Sequence, residues 1–353
     1  MTDTLLQVEH LRIEIPTRRR TLVAVDDVSL QIDEGEVLGV VGESGAGKSL
    51  TGAAIIGLLE PPGRIAAGAV YLRGRRIDNL PYDELRRIRG REIGMVFQDP
   101  LTSLNPLYTI GRQLVETIQT HTDLSDSRAR QRALELLREV GIPSPEQRLE
   151  QYPHQFSGGM RQRVVIALAL CVNPKLVIAD EPTTALDVSI QAQIISVLKK
   201  LCREHGAAVM LITHDMGVIA ETANRVAVMY AGRIAEIGSA RQVIKNPLHP
   251  YTRGLMGSIP KIAPDNPAET QLTQIEGSMP RLHEIPPGCA FHPRCTERMP
   301  RCSLERPELQ TLQTQAVDQQ AEAQVACWRY DASAETSVKA SMKAKVKASG
   351  ETV

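Results

Sequence analysis

Residues 37–52 read VLGVVGESGAGKSLTG, and the fold turns on how they are interpreted. The apolar run Val37 to Val41 has the length and composition of a buried strand. It leads into Gly42-Glu43-Ser44-Gly45-Ala46-Gly47-Lys48-Ser49, which fits G-x-x-x-x-G-K-[ST]. Glycines at 42, 45 and 47 let the backbone curl tightly enough to aim several N–H groups at one phosphate chain. A helix is expected next, from Ala53, Ala54, Ile55, Ile56, Leu58 and Leu59, and its N-terminus adds the positive end of a dipole. Lys48 can reach the β- and γ-phosphates, and Ser49 can place its hydroxyl on Mg²⁺. A Gly-rich turn that binds nothing would use similar letters, but the strand before and the helix after favour a nucleotide site. The nucleoside triphosphate would therefore be framed by residues 42–50: Gly42, Glu43, Ser44, Gly45, Ala46, Gly47, Lys48, Ser49 and Leu50.

The 353 residues suffice for about two domains. With 42% hydrophobic and 23% charged residues, the chain has the make-up of a soluble protein that buries a real core. Its 41 basic and 41 acidic side chains cancel, which gives no electrostatic argument for nucleic acid as a partner. The longest apolar run, Val164 to Val172, falls short of the ~20 residues that span a bilayer. The start, MTDTLLQVEH, lacks a basic segment and an apolar signal core, so a cytoplasmic protein, able to dock on a membrane protein, is expected. In a reducing compartment, the six cysteines would be thiols or metal ligands rather than disulfides.

Residues 5–32 alternate apolar and polar around a break at Thr17–Arg20, as antiparallel strands joined by a basic loop would. Beyond the phosphate loop, a short strand pair is expected near 69–77, a helix over 81–89, and a buried strand at Ile93–Gln98. From 99 to 172 the pattern turns helical. Ala129, Ala133, Leu136, Leu137 and Val140 share one side of a helix that Ser125 or Asp126 can cap and Gly141 can end. Strands at 176–179, 208–212, 226–230 and 233–237 alternate with helices at 160–171 and 190–205. Such alternation predicts an α/β architecture with a mostly parallel sheet. Residues 246–310 are crowded with proline, from Pro247 to Pro307, and read as a small irregular region, not a continued sheet. The Ala/Ser/Lys-rich stretch 331–353 has no apolar period and reads as disordered.

A second chemical motif is Leu176-Val177-Ile178-Ala179-Asp180-Glu181, an apolar strand delivering two acids at its carboxyl tip. Asp180 can hold Mg²⁺ through water, while Glu181 can orient and deprotonate an attacking water. In Phe156-Ser157-Gly158-Gly159-Met160, a capping serine and two glycines open a helix and offer a second anion site. Thr184-Ala185-Leu186-Asp187 follows the acids, and His214 stands just past the strand at 208–212. Each of these alone has an ordinary structural explanation: a helix cap, an acid-tipped strand, a structural histidine.

In order along residues 5–237, the phosphate loop at 42–49, Gln98, FSGGM at 156–160, LVIADE at 176–181, TALD at 184–187 and His214 resemble the ATPase of ABC transporters. The resemblance implies a P-loop NTPase core of α/β class with an antiparallel β subdomain and a helical subdomain at 99–172. It implies a nucleotide-binding domain over 1–238, a C-terminal extension over 239–330, and the tail beyond. It implies a head-to-tail dimer in which ATP lies between one subunit's phosphate loop and the other's Ser157, Gly158 and Gly159, with Asp187 meeting the opposite subunit. Gln98 and Ser49 would join Asp180 around Mg²⁺, and Glu181, His214 and Gln98 would be catalytic. Partners implied are a second, paralogous ATPase subunit, two transmembrane permease subunits seated on Gln98–Pro106, and indirectly an external substrate-binding protein. The site would then lie at the cytoplasmic membrane face. A soluble ABC ATPase of DNA repair or translation, or a silent regulatory subunit, are the rival readings. Signature position five is Met160 where glutamine is usual, and no aromatic near 16–21 is available to stack on adenine, although Arg18–Arg20 could offer a guanidinium.

Cys289, Cys295, Cys302 and Cys327 form C-x5-C-x6-C-x24-C in the region with the weakest core signal, whereas Cys171 and Cys202 fall on helix interiors. PGCAFHPRC and NPLHPYT resemble the C-terminal extension of oligopeptide/dipeptide permease ATPases, some of which hold a [4Fe–4S] cluster through four such cysteines. From spacing alone a cluster, a zinc ion and no metal all remain open, and His292 is a further candidate ligand or part of the turn. The extension implies import of di- or oligopeptides; nickel, glutathione and other small-molecule importers use the same ATPase type.

Overall fold

The computed structural model describes residues 3–184, 186–258, 274–313 and 322–331. Strands β1 (Thr4–Pro16), β2 (Thr21–Asp33), β4 (Arg64–Leu72) and β5 (Arg75–Arg76) form an antiparallel sheet in the order β2-β1-β4-β5. The basic break at 17–20 is the β1–β2 turn, closed by the Thr17 amide donating to the Arg20 carbonyl at 2.9 Å.

The second sheet holds β3 (Val37–Val41), β6 (Ile93–Val96), β7 (Leu176–Asp180), β8 (Ala208–Thr213), β9 (Arg225–Tyr230), β10 (Arg233–Ser239), β11 (Gln310–Gln313) and β12 (Glu322–Val325). Its order is β11-β12-β10-β9-β3-β8-β7-β6, and β9, β3, β8, β7 and β6 run parallel. Every residue of β7 and β8 is buried, which is why these segments read as continuous apolar runs. Parallel strands end on the same edge of a sheet, so whatever follows β3, β6, β7 and β8 is delivered to one place. That geometry positions the site.

Helices Ile110–His121, Asp126–Glu139 and Gly158–Leu170 pack over residues near the β6–β7 side. Ile110, Leu114 and Ile118 are buried at one-turn spacing, facing Ala129, Ala133, Leu136 and Leu137. Thr109 accepts from the Arg112 amide to cap the first helix, and Gly141, at φ 73°, closes the second in a left-handed turn.

The expectation of a small irregular C-terminal extension is corrected at its far end. β12 pairs antiparallel with β10 (Glu236 opposite Val325) and β11 pairs with β12, so the main sheet is continued by Gln310–Gln313 and Glu322–Val325, past the proline-rich stretch. An unpaired outer edge on β10 would expose a row of backbone donors and acceptors, and β12 covers it. The two strands have four residues each, too few to show a period in the sequence. Among its described residues, the rest of the extension lacks regular structure apart from the helices Ala240–Lys245 and Pro250–Gly257 and single 3-10 turns.

The extension is tied down at three places. Fully buried Glu236 accepts the amides of Leu248 and His249, both at 2.9 Å, and burial pushes its carboxyl above the usual range. Tyr230 meets Tyr251 and Phe291 edge-on, at ring separations of 4.7 and 5.2 Å. Asp26 receives Arg12 (2.8 Å), Arg233 (2.6 Å) and Arg306 (2.6 Å), from β1, β10 and the extension. Burial opposes ionisation of Asp26, but Arg233 and Arg306 outweigh it and hold the carboxyl below its ordinary value.

Val325 is fully buried on β12. Val325→Ala should lower unfolding free energy by about 2 kcal/mol in urea melts of the whole chain. A melt identical to that of the unchanged chain would mean the added strand contributes no core.

Candidate functional site

The loop after β3 has a shape that side chains forbid. At Gly42, φ is 151° and an added Cβ would lie 2.3 Å from the Met229 carbonyl oxygen. At Gly47, φ is 97° and a Cβ would crowd Val25, the Ala24 carbonyl and Gly232 at 3.1–3.3 Å. With both positions open to glycine alone, the loop closes over the helix Lys48–Ile55, whose N-terminus faces it. Lys48 is buried and its ammonium donates to the carbonyls of Gly42 (2.8 Å) and Glu43 (3.0 Å). Burial draws its pKa down, against the pull of Glu181, Asp180 and Glu43.

The Ser49 hydroxyl donates to Asp180 Oδ1 at 2.9 Å, across 131 residues of sequence. Burial raises the Asp180 carboxyl pKa; the Ser49 bond opposes the shift and neighbouring Glu181 adds to it. A hydroxyl and a carboxylate are hard oxygen donors of the kind Mg²⁺ takes, so these residues fit that ion.

Glu181 is the meeting point of three strand ends. Its Oε2 accepts from Gln98 Nε2, just past β6, at 3.2 Å and from Thr184 Oγ1 at 2.8 Å. Its Oε1 lies 3.5 Å from Nδ1 of His214, just past β8, whose ring is exposed. The Glu181 backbone is left-handed, at φ 45°, and its amide donates to the Ile212 carbonyl at 2.9 Å. Lys48, Ser49, Gln98, Asp180, Glu181 and His214, chosen from separate motifs, therefore share one carboxyl edge. Thr184 belonged to a motif, but nothing in the sequence marked it as a partner of Glu181.

Ser157 caps the helix Gly158–Leu170 by accepting from the Met160 amide at 3.3 Å, so the cap uses that residue's backbone and is indifferent to Met160 replacing glutamine. Ser157 and Gly158 are exposed, as is Asp187. A Cβ on Gly158 would meet Leu186 at 3.4 Å and one on Gly159 would meet Ile190 at 2.8 Å, so the glycines and the Asp187 loop are neighbours. Of the three loop arginines, Arg20 lines a cavity of about 680 Å³ between β2, β10 and the extension.

Cys171 and Cys202 are buried in helical packing, and burial pushes both thiols up to about 12. The other four, Cys289, Cys295, Cys302 and Cys327, are free thiols lining one small cavity. Burial raises Cys289 and Cys327 to about 11 and Cys295 in the same direction, and the neighbouring cysteines add to each shift. Among the described residues, no group of three or more His, Cys, Asp or Glu is placed to hold a metal ion. His292 turns Nδ1 to the Cys289 carbonyl at 2.9 Å and so belongs to the turn.

Comparison with known proteins gives the family. Residues 25–184 match the ABC transporter family, and residues 235–302 match the oligopeptide/dipeptide transporter C-terminal region. The chain is 46% identical over 337 residues to the dipeptide transport ATP-binding protein DppD of Bacillus subtilis, covering 95% of this chain and 98% of that one. It is 48% identical to the oligopeptide transport ATP-binding protein OppD of Escherichia coli, over 86% of this chain and 89% of that one. Among solved structures, the dimeric ABC cassette MJ0796 in a post-hydrolysis state bound to ADP and Pi superposes with a TM-score of 0.61 at 32% identity, over 67% of this chain and 99% of that one.

Glu181→Gln keeps the size and hydrogen-bonding reach of the side chain but removes the base. It should retain ATP in equilibrium binding and lower turnover at least ~100-fold, while Lys48→Ala should lose ATP binding. Undiminished hydrolysis by Glu181→Gln would remove its role as the base.

Proposed function

From the premise that the chain belongs to the ABC transporter ATP-binding proteins, we propose that it drives import of di- or oligopeptides, hydrolysing ATP in a dimer of ATPase subunits docked on two membrane permeases. The observation that carries the chemistry is the Glu181 carboxylate held between Gln98, Thr184 and His214 beside the Lys48–Ser49–Asp180 cluster. The peptide substrate rests on the match of residues 235–302 and on relatives named for dipeptide and oligopeptide transport.

The steps follow from the residues. Lys48 exchanges its two loop carbonyls for phosphate oxygens. Mg²⁺, held by Ser49 and Asp180, would neutralise charge on the β- and γ-phosphates. Glu181 accepts the proton of the attacking water, with Thr184 and Gln98 fixing one carboxylate oxygen so that the other faces the water. His214 lies beside that other oxygen and can donate to the departing phosphate. The exposed Ser157–Gly158–Gly159 helix start and Asp187 suit a partner subunit's nucleotide, which favours the head-to-tail dimer and, as a finer reading, a paralogous partner. In domain terms, we assign 1–238 to nucleotide binding, with helices at 99–172, and 239–330 to the extension; residues 332–353, read as a disordered tail, lie outside the described residues.

No helix among the described residues is long and apolar enough to cross a membrane. Attachment at the cytoplasmic face would then come from docking on the permeases. Leu101 and Leu107 are 61% and 78% exposed in the segment after Gln98, apolar side chains suited to a permease helix. Leu107→Asp should spare ATP hydrolysis by the isolated subunit and abolish co-purification with the permeases. Retained co-purification would move the docking surface elsewhere. ATPase activity and normal folding with no permease bound to the unchanged chain would favour a soluble ABC ATPase.

For the cysteines, we infer a [4Fe–4S] cluster held by Cys289, Cys295, Cys302 and Cys327. The reading rests on four cysteines lining one small cavity and on the resemblance of PGCAFHPRC to cluster-bearing extensions, whose ligand spacing is wider than the close cysteine pairs usual for zinc. Such a group would cross-link an extension short of regular structure. Anaerobically purified protein should contain about four irons and four sulfides per chain with broad visible absorbance, and Cys295→Ser should lose them. Metal-free protein whose extension resists protease equally well would overturn the cluster and leave the ATPase assignment standing.

A further inference from the structure

Glu43 is an awkward residue in a phosphate loop. Its side chain adds a negative charge one position after Gly42, and that charge is close enough to Lys48 to act on it electrostatically. A triphosphate drawn in by Lys48 would meet this carboxylate as well. The structure supplies a counter-charge from 251 residues away. Arg294 Nη1 donates to both carboxylate oxygens of Glu43, at 3.1 and 3.0 Å, and approaches the Tyr230 hydroxyl at 3.4 Å. The arginine is itself fixed from behind. Its Nε donates to the Glu276 carbonyl at 2.9 Å and its Nη2 to the Gly277 carbonyl at 3.3 Å. Its side chain is 9% exposed. A second contact reaches the same residue, as the Glu43 amide donates to the hydroxyl of fully buried Tyr251 at 2.9 Å.

Both contacts come from the region after β10, so the extension grips the loop by one backbone bond and a two-oxygen side-chain contact on a single residue. A guanidinium in this spot neutralises Glu43 in a partly desolvated setting, where an unpaired carboxylate acts on phosphate with little screening. It also holds both carboxylate oxygens against the extension. Neither contact touches the strands that carry the acids.

We propose that Arg294 is a positioning residue for ATP binding, acting through Glu43 to neutralise and orient the phosphate loop. This rests on the reading of residues 42–49 as that loop. The proposal separates binding from chemistry: loss of Arg294 raises KM for ATP and leaves kcat within about twofold, since Glu181, Gln98 and His214 are untouched.

The test is a two-by-two comparison on the full-length chain, with ATP affinity and steady-state hydrolysis measured for each protein. Arg294→Gln should weaken ATP binding about tenfold when Glu43 is present. In the Glu43→Gln background the same arginine substitution should change affinity less than twofold, because no charge is left to neutralise. Equal losses in the two backgrounds, or no loss in either, would overturn the proposal. Should Arg294→Gln fail to fold, Arg294→Lys takes its place: it keeps the charge but not the double contact, and should lose a smaller part of the affinity, again only when Glu43 is present. Lys48→Ala measured alongside keeps the two readings apart. Loss of ATP binding there with no effect at Arg294 would reject the positioning role alone; unchanged binding there would reject the phosphate loop itself.

Discussion

A phosphate loop needs bare amides pointing inward, and the backbone that gives this shape has no room for side chains. In this protein the loop is fenced by the Met229 carbonyl on β9, by Ala24 and Val25 on β2, and by Gly232 in the β9–β10 turn. Two chain segments far apart in sequence, 24–25 and 229–232, therefore close on the loop and leave room only for glycine at 42 and 47. The order of the main sheet follows from that requirement. With β3 between β8 and β9, the loop abuts the β9–β10 turn on one side, while β7 lies one strand beyond β8 on the other. Asp180 can then reach Ser49 across the intervening strand's end, at the 2.9 Å observed.

Glu181 shows the same logic on a smaller scale. A non-glycine residue at φ 45° costs on the order of 1 kcal/mol or more, and it persists only where surroundings over-determine it. Here the Glu181 amide is tied to the end of β8, and the carboxylate is tied to Thr184 and Gln98. The strain aims the side chain out of the sheet edge toward His214 instead of along the strand. Asp180, one residue earlier, stays buried with a raised pKa, so two adjacent acids have different surroundings: one beside the Ser49 hydroxyl, one at the open rim.

The nucleotide-binding half was legible because its chemistry is written in contiguous letters. Val37–Ser49 and Leu176–Glu181 each carry a strand and its functional tip together, and parallel pairing converts two sequence-local signals into one site. The helix at 126–139 was legible for a different reason, since Ala129, Ala133, Leu136 and Leu137 repeat at helical spacing, whereas the helix at 110–121 was covered only by the general helical pattern of 99–172. What escaped lacked local signal. β11 and β12 are four-residue strands whose only reason to form is the open edge of β10. The Arg294–Glu43 pair joins a phosphate-loop residue to an arginine that looks like an ordinary surface position, and nothing near either one names the other. The four cysteines could be grouped by spacing, but their convergence on one cavity depends on how the chain returns from Cys302 through β11 and β12 to Cys327.

That return path changes what the extension is. Its strands complete the main sheet, its Tyr251 and Phe291 fill the core beside Tyr230, and its Arg306 shares Asp26 with β1 and β10. It is built into the ATPase on the side where the phosphate loop sits. Arg294 immediately precedes Cys295 and belongs to the same 3-10 turn as His292, which is itself hydrogen-bonded to the Cys289 carbonyl. Whatever rigidifies the turn from Cys289 to Cys295 therefore also limits where the guanidinium can go. A group held by these cysteines would act on the phosphate loop through one side chain, without touching nucleotide.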